Sequence, residues 1–255
     1  MNGIRQTGKL LAIRVGTEKG TSLRLDRLRY HGCHSYREVL WQELVNNWQL
    51  STFEVDYINR QQGVFCLGCG NNLRSIALAN AILCSYNISG TLLEFVVSDF
   101  TKKLNVLEIN EAGGLSSVSK MLPNRQLVRY PDYDMANLSY ESATFDLVLH
   151  SDTLEHVPNP IRGLSECRRV LKKTGRCIFT VPIIIERLTR SRSGLTNSYH
   201  GAPGQLDNDF TVHTEFGADV WRFVIEAVFT SARIHCFEYP SALAIEASVS
   251  NERST

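Results

Sequence analysis

The sequence has almost no net charge and no long hydrophobic run. Its 27 Lys and Arg against 26 Asp and Glu leave +1, a balance that gives no field for drawing in nucleic acid or another polyanion. No stretch is long and apolar enough to span a bilayer. The start, MNGIRQTGKLLAIRV, lacks the sustained apolar core of a secretory signal. The seven cysteines are odd in number, which argues against a disulfide framework, so reduced thiols and a cytoplasmic location are expected. No second Cys-x-x-Cys accompanies Cys66 and Cys69. Half of a tetrahedral zinc site is therefore missing, with His31, Cys33 and His34 the nearest upstream ligand types, and the pair is read as a packed turn rather than a metal centre. There is no internal repeat. The Gly-x-Gly-x-x-Gly of nicotinamide-binding folds is also absent.

What is present is an ordinary globular composition, 43% hydrophobic and 21% charged over 255 residues. That suffices for one large domain, or one domain with an appendage. The clearest pattern is residues 145–182. An apolar run from Phe145 to Leu149 reads as a strand buried on both faces. A polar loop, 151–158, follows. Asn159 and Pro160 then start a helix, which Lys172, Lys173 and Gly175 are expected to close. The run 177–181 makes a second buried strand. Strand, helix and strand in this space form a parallel crossover unit. Ligands of open parallel sheets bind beyond the carboxyl ends of the strands, which places Ser151, Asp152, Glu155 and His156 at a pocket rim.

Upstream, SYREVLWQELVNN predicts an amphipathic helix with Ser35 as a possible cap, and NNLRSIALANAILCSY predicts a second helix. LNVLEI, 104–109, reads as a buried parallel strand, and 110–114 as its turn. A short helix over 115–122 and a strand over 126–130 follow. Downstream, 183–217 has little periodicity and the length of a functional or disordered loop. A helix over 218–229 and two strands, 232–239 and 242–249, split by Pro240 and Ser241, predict an antiparallel end to the sheet.

Taken together, LNVLEI with its glycine pair, TFDLVLHSDTLEHV, RVLKKTGRCIFTVP and the closing helix and hairpin resemble a class I S-adenosylmethionine-dependent methyltransferase of the type 11 kind. The resemblance covers residues 104–249, a little over half the chain. It implies a Rossmann-like α/β fold with a mostly parallel sheet and an antiparallel C-terminal hairpin. The centre is shortened, because 130–145 is too short for the family's second helix and third strand. Residues 1–100 are expected as a mainly helical extension and 101–255 as the methyltransferase-like domain. The resemblance implies S-adenosyl-L-methionine as cofactor, held by Glu108, Asn110, Gly113, Gly114, Asp132, Asp134, Ser151 and Asp152. Asn110 and Ala112 stand where the family commonly has glycines, and Asn tolerates positive φ better than most residues.

Methyl transfer is a displacement at carbon, so the protein mainly aligns the acceptor and excludes water. A base is needed only where the acceptor must lose a proton. His156, His200 and His213 are the catalytic candidates, with Tyr199 and Glu215 as further acceptor contacts. Arg187, Arg190 and Arg192 are read as possible anchors for an anionic acceptor. The expected activity is methyl transfer to a small-molecule or carbohydrate-like acceptor, without nucleic acid, membrane or metal. The alternative is a non-catalytic member of the fold used for binding or as a scaffold.

Overall fold

The computed structural model describes residues 34–36, 42–66, 69–199 and 208–249. In chain order, β1 (His34–Tyr36), α1 (Gln42–Trp48), α2 (Thr52–Gly63), β2 (Val64–Cys66), α3 (Leu73–Ser85) and α4 (Leu92–Val96) precede the first central strand, β3 (Val106–Ile109). Then come α5 (Ser116–Ser119), β4 (Arg125–Val128), β5 (Phe145–Ser151), α6 (Pro160–Val170) and β6 (Leu171–Thr180). The last third holds β7 (Ile183–Ile184), β8 (Arg190–Ser191), β9 (Thr214–Gly217), α7 (Trp221–Glu226), β10 (Ser231–Glu238) and β11 (Ala242–Ser248).

The main sheet has the order β10-β11-β6-β5-β3-β4. Pairings β4/β3, β3/β5 and β5/β6 are parallel, and β6/β11/β10 are antiparallel. This is the mixed α/β sheet with a closing hairpin that the sequence predicts. The shortened centre is real: between β4 and β5 the chain forms no strand, and β4 is the sheet edge. Met135 and Leu138 from that connection are nevertheless buried in the core.

Strand alternation fills two layers. Leu147 and Leu149 of β5 face a cluster with Leu73, Ala77, Leu78, Ala81, Leu92 and Phe95, from α3 and α4. Phe145 and Val148 face the other layer, with Leu164, Cys167 and Val170 of α6 and Val224 of α7. Each such Leu or Phe contributes about 1.5–3 kcal/mol on burial. The helical segment before residue 100 thus has two partners. Its α3 and α4 cover the sheet, whereas Leu44, Trp48, Tyr57 and Ile58 of α1 and α2 pack on Ile184 and Val212.

Several expectations about boundaries are corrected. Ser35 does not cap a helix; it pairs with Phe65 in the β1/β2 ladder, and the helix is described from Gln42. Asn159 does cap α6, accepting from Arg162 N at 3.0 Å, but α6 ends at Val170, with Arg168 and Arg169 in its last turn. Lys172, Lys173 and Gly175 lie in β6. The ladder shifts register between Phe145 and Leu147, and Lys172 Nζ turns back to Asp146 Oδ2 at 2.7 Å. A Cβ on Gly175 would sit 3.0 Å from the Lys172 carbonyl and 3.1 Å from that of Phe145, so this excursion needs glycine. The region 183–217, expected as loop, contains a small three-stranded sheet of order β7-β9-β8. No helix among the described residues is long and apolar enough to cross a membrane.

Candidate active site

Chain order reverses at β3: β4 lies on one side and β5 on the other. The carboxyl ends of β3 and β5 therefore border the crevice where open α/β sheets bind ligands. A cavity of about 640 Å³ opens there. Its lining brings together four elements far apart in sequence. The turn after β3 supplies Asn110, Glu111 and Gly113, and the segment after β4 supplies Arg129, Tyr130, Tyr133 and Asp134. The end of β5 supplies Ser151, Asp152 and His156, and the far wall holds Gln62, Arg74, Phe210 and His213.

The turn at the floor explains how the chain manages without the usual glycines. Asn110, Glu111 and Gly113 all have positive φ, at 57°, 55° and 56°. Asn110 is stabilised there because its Oδ1 accepts from Tyr130 N at 2.9 Å. Gly113 permits a close approach: a Cβ on it would lie 3.0 Å from Ser75 Oγ, 3.7 Å from an Arg74 guanidinium nitrogen and 3.9 Å from Ser151 Oγ. Backbone, guanidinium and two hydroxyls thus converge on one small space at the strand end. Gly114 serves packing instead: a Cβ there would overlap Asn71 Oδ1, its N–H donates to Ser75 Oγ at 3.1 Å, and it does not line the cavity.

Glu108 is corrected from ligand contact to structural brace. It is fully buried. Its carboxylate accepts from Ala112 N at 2.8 Å, Ser116 Oγ at 2.5 Å, Ser119 Oγ at 2.6 Å and Arg125 Nε at 2.6 Å. Burial alone would raise its pKa, but Arg125, the two serines and the Ala112 N–H together hold it below the ordinary carboxylate value. With both oxygens spent, it fixes the turn rather than facing a ligand. Asp132 is likewise corrected: it is exposed and does not line the cavity. Asp134 does line it, and among the described residues only its Oδ1 is used, accepting from Ala136 N at 2.8 Å in an Asx turn.

The wall nearest α3 carries paired charge. Arg74 forms an ion pair with Asp152, Gln62 Nε2 donates to Asp152 Oδ2 at 3.0 Å, and Arg74 donates to Gln62 Oε1 at 2.8 Å. Burial lowers the Arg74 pKa to about 10, against the attraction of Glu155, so it stays cationic near neutrality. Its Nε has no hydrogen-bond partner among the described residues. Asp152 holds φ at 46°, a conformation of the kind that marks functional loops.

The opposite end differs. His156 Nδ1 lies 3.1 Å from the Thr211 carbonyl, which fixes the proton on Nδ1 and leaves Nε2, 3.8 Å from Glu155 Oε1, as the basic nitrogen. His213 is held by its backbone, whose N–H donates to the Glu155 carbonyl at 2.8 Å. Burial pushes its imidazole pKa below the ordinary 6.5. His200 lies outside the described residues.

The three arginines read as anion anchors are otherwise engaged. Arg187 binds Glu54 at 2.5 and 2.6 Å, and the Trp48 and Gln49 carbonyls at 2.7 Å. Arg190 and Arg192 both pair with Glu215, which also withdraws buried Glu215 from acceptor contact. Sequence reasoning missed Arg74, Gln62 and Glu111. Arg74 carried a usable signal, as the only charged residue in the helix LRSIALANAILCS. Glu111 carried none, because its place depends on the left-handed turn.

Residues 65–179 match the family described as "Methyltransferase domain". Over that stretch the chain is similar to class I S-adenosylmethionine-dependent methyltransferases. A ubiquinone biosynthesis O-methyltransferase of Coxiella burnetii is 27% identical over 139 residues, 54% of this chain and 50% of that protein. The chain thus spans about half the length of the curated relatives it matches. Among solved structures, a possible histamine N-methyltransferase from Thermotoga maritima is 13% identical, covers 82% of this chain and 98% of its own, and has a TM-score of 0.38. A putative O-methyltransferase from Nostoc punctiforme is 15% identical over 68% of this chain and 57% of its own, with a TM-score of 0.40. The family's cofactor is S-adenosyl-L-methionine. The residues present fit that group where Gly113, Arg74, Ser75 and Ser151 converge, since a Cβ at Gly113 would fill the space.

Proposed function

We propose that the chain transfers a methyl group from S-adenosyl-L-methionine to a small-molecule or carbohydrate-like acceptor. The observation that carries this reading is the cavity at the β3/β5 crevice, charge-paired at one end and bordered by unprotonated imidazole at the other. Arg74 and Asp152 match the carboxylate and ammonium of an amino-acid tail, with Gly113 and Ser151 beside them. Asp134, with Tyr130, Tyr133 and Met135, is the adenine end. Glu111 stands in for the carboxylate that a ribose diol requires. It lines the same wall and is held there by Arg129.

When bound, S-adenosyl-L-methionine supplies an electrophilic methyl group on a sulfonium. The chain's residues supply alignment and proton removal. His213 is unprotonated at neutral pH and takes a proton from an acceptor hydroxyl. His156, oriented by the Thr211 carbonyl, positions the acceptor through Nε2. Phe210, in edge contact with the His156 ring, narrows the mouth and limits water.

The experiment is calorimetry with S-adenosylhomocysteine on the full chain. Binding with a measurable heat and a raised Tm supports the reading, because a ligand that binds only the native state stabilises it. No heat and no Tm shift at millimolar ligand would sink it.

A further inference from the structure

Beyond the main cavity, a second cleft of about 380 Å³ is lined by 191–197, Thr211, Val212, Pro158 and His213. Pro158 and His213 line both spaces, so the two meet at the imidazole that faces the acceptor. A volume of this size is within the range of small-molecule sites.

The cleft is built. Buried Arg192 bonds Glu215 and the Thr196 carbonyl, and its N–H donates to the His213 carbonyl at 2.9 Å. Leu195 N donates to the Arg192 carbonyl at 3.0 Å. Trp48 Nε1 clamps buried Ser198 at 2.9 Å, and Val212 N bonds the Ser198 carbonyl at 2.8 Å. These contacts fix the loop at three points and leave its outward side chains unspent. Those of Ser193, Thr196 and Thr211 make no hydrogen bond with the described residues.

The chemistry of this lining is narrow. Among the described residues, Arg192 is its one formal charge apart from the imidazole, and Glu215 neutralises it; Arg190, which shares Glu215, does not line the cleft. An anionic group therefore finds no free cation among the described residues. The N–H groups of Arg192, Ser193 and Leu195 already donate within the loop, so an extended peptide finds few main-chain donors. What remains is hydroxyls and an amide, each able to donate and accept, beside apolar Pro158 and Leu195, the latter 45% exposed. We propose that this cleft is the distal subsite of the acceptor, and that it takes a neutral, polyhydroxylated molecule such as a glycoside whose reacting hydroxyl reaches His213. The proposal rests on the methyl-transfer reading of the main cavity.

The test uses saturation-transfer NMR on the full chain, with and without S-adenosylhomocysteine. The probes are maltose, cellobiose and chitobiose, against glucose 6-phosphate and catechol. Thr196→Trp and Ser193→Trp fill the cleft from exposed positions outside the main cavity. Expected is a signal from at least one neutral disaccharide that falls about tenfold in both variants, the equivalent of losing one to two good hydrogen bonds. The S-adenosylhomocysteine affinity should stay unchanged. The proposal is overturned if the wild-type protein binds the nucleoside but no neutral disaccharide, if the tryptophan variants bind sugar as well as wild type, or if glucose 6-phosphate or catechol binds better and is lost in the same variants. Failure to bind S-adenosylhomocysteine overturns the methyl-transfer reading itself, and the acceptor assignment with it, whatever the sugars do.

Discussion

The two ends of the main cavity are built on opposite electrostatic terms. At the α3 end, Arg74, Asp152 and Gln62 form a closed set of charge-assisted bonds beside the turn that Glu108 braces from below. At the far end, His156 and His213 are set by backbone contacts, and His213 has lost basicity to burial. The first arrangement suits a ligand that brings both charges of an amino acid. The second suits a step in which a neutral base takes a proton. In the proposed reading, the paired charge holds the cofactor and the buried His213 imidazole meets the acceptor.

Removing the brace under the charged end has the largest expected effect. Glu108→Ala leaves Arg125, whose side chain is 11% exposed, without its carboxylate, and strands two hydroxyls and an N–H. Breaking a buried pair from one side costs about 3–5 kcal/mol, so urea unfolding should show a loss of that order. Because the folded pKa is depressed, the native carboxylate stabilises above its unfolded pKa of 4.5 and that contribution fades as pH falls below it. The wild type should therefore lose stability through this acid window, and the variant should lose less. Equal acid sensitivity in both proteins would contradict the brace.

At the neutral end, His213→Gln keeps shape and removes the base. General-base loss lowers kcat by about 100-fold or more, while affinity for S-adenosylhomocysteine stays the same. Activity of the wild type should fall as pH drops through the His213 pKa, which lies under 6.5, and the variant should lose that limb. A changed nucleoside affinity with unchanged kcat would exchange the roles of the two ends.

The sequence made the frame legible because the frame follows from periodicity. Buried runs at 104–109, 145–149 and 177–181, with the Asn159-Pro160 start, lie where the structure has β3, β5, β6 and α6. The limits came where tertiary contacts override local signals. Lys172 and Lys173 look like a helix end, yet strand pairing and the Asp146 contact take them into β6. Glu108 resembles a ligand acid by position, but its function as a brace depends on Ser116, Ser119 and Arg125 folding over it. Arg187, Arg190 and Arg192 read as free cations only because Glu54 and Glu215, their partners, are distant or ambiguous in sequence. Conversely, Asn110 in a glycine's place was readable from its tolerance of positive φ, and its φ of 57° accords with that reading.

Breaking the charge pairing itself is expected to cost less than either change above. Arg74→Gln keeps a hydrogen-bonding group on a shorter side chain and removes the cation. Hydrogen bonds to charged groups are worth about 1.5–3 kcal/mol, so the dissociation constant for S-adenosylhomocysteine should rise about tenfold or more by calorimetry. Asp152 would lose its cation and keep Gln62, and a double variant, Arg74→Gln with Asp152→Asn, should recover stability but not affinity. Recovery of both would reduce the pair to structure.

The smallest expected effect sharpens the comparison at the adenine end. Asp134→Asn keeps the Asx turn, because the amide oxygen can still accept from Ala136 N. It removes only the charge on the second oxygen. A neutral hydrogen bond replaces a charge-assisted one, a difference of about 1 kcal/mol, so affinity for S-adenosylhomocysteine should fall about fivefold, with no change in Tm of the free protein. Measured against Arg74→Gln, the ratio decides how binding energy is distributed along the cavity. If Asp134→Asn costs as much as the loss of Arg74, recognition is centred on the base and not on the amino-acid tail, and the charged knot at α3 would then serve chiefly to close the wall.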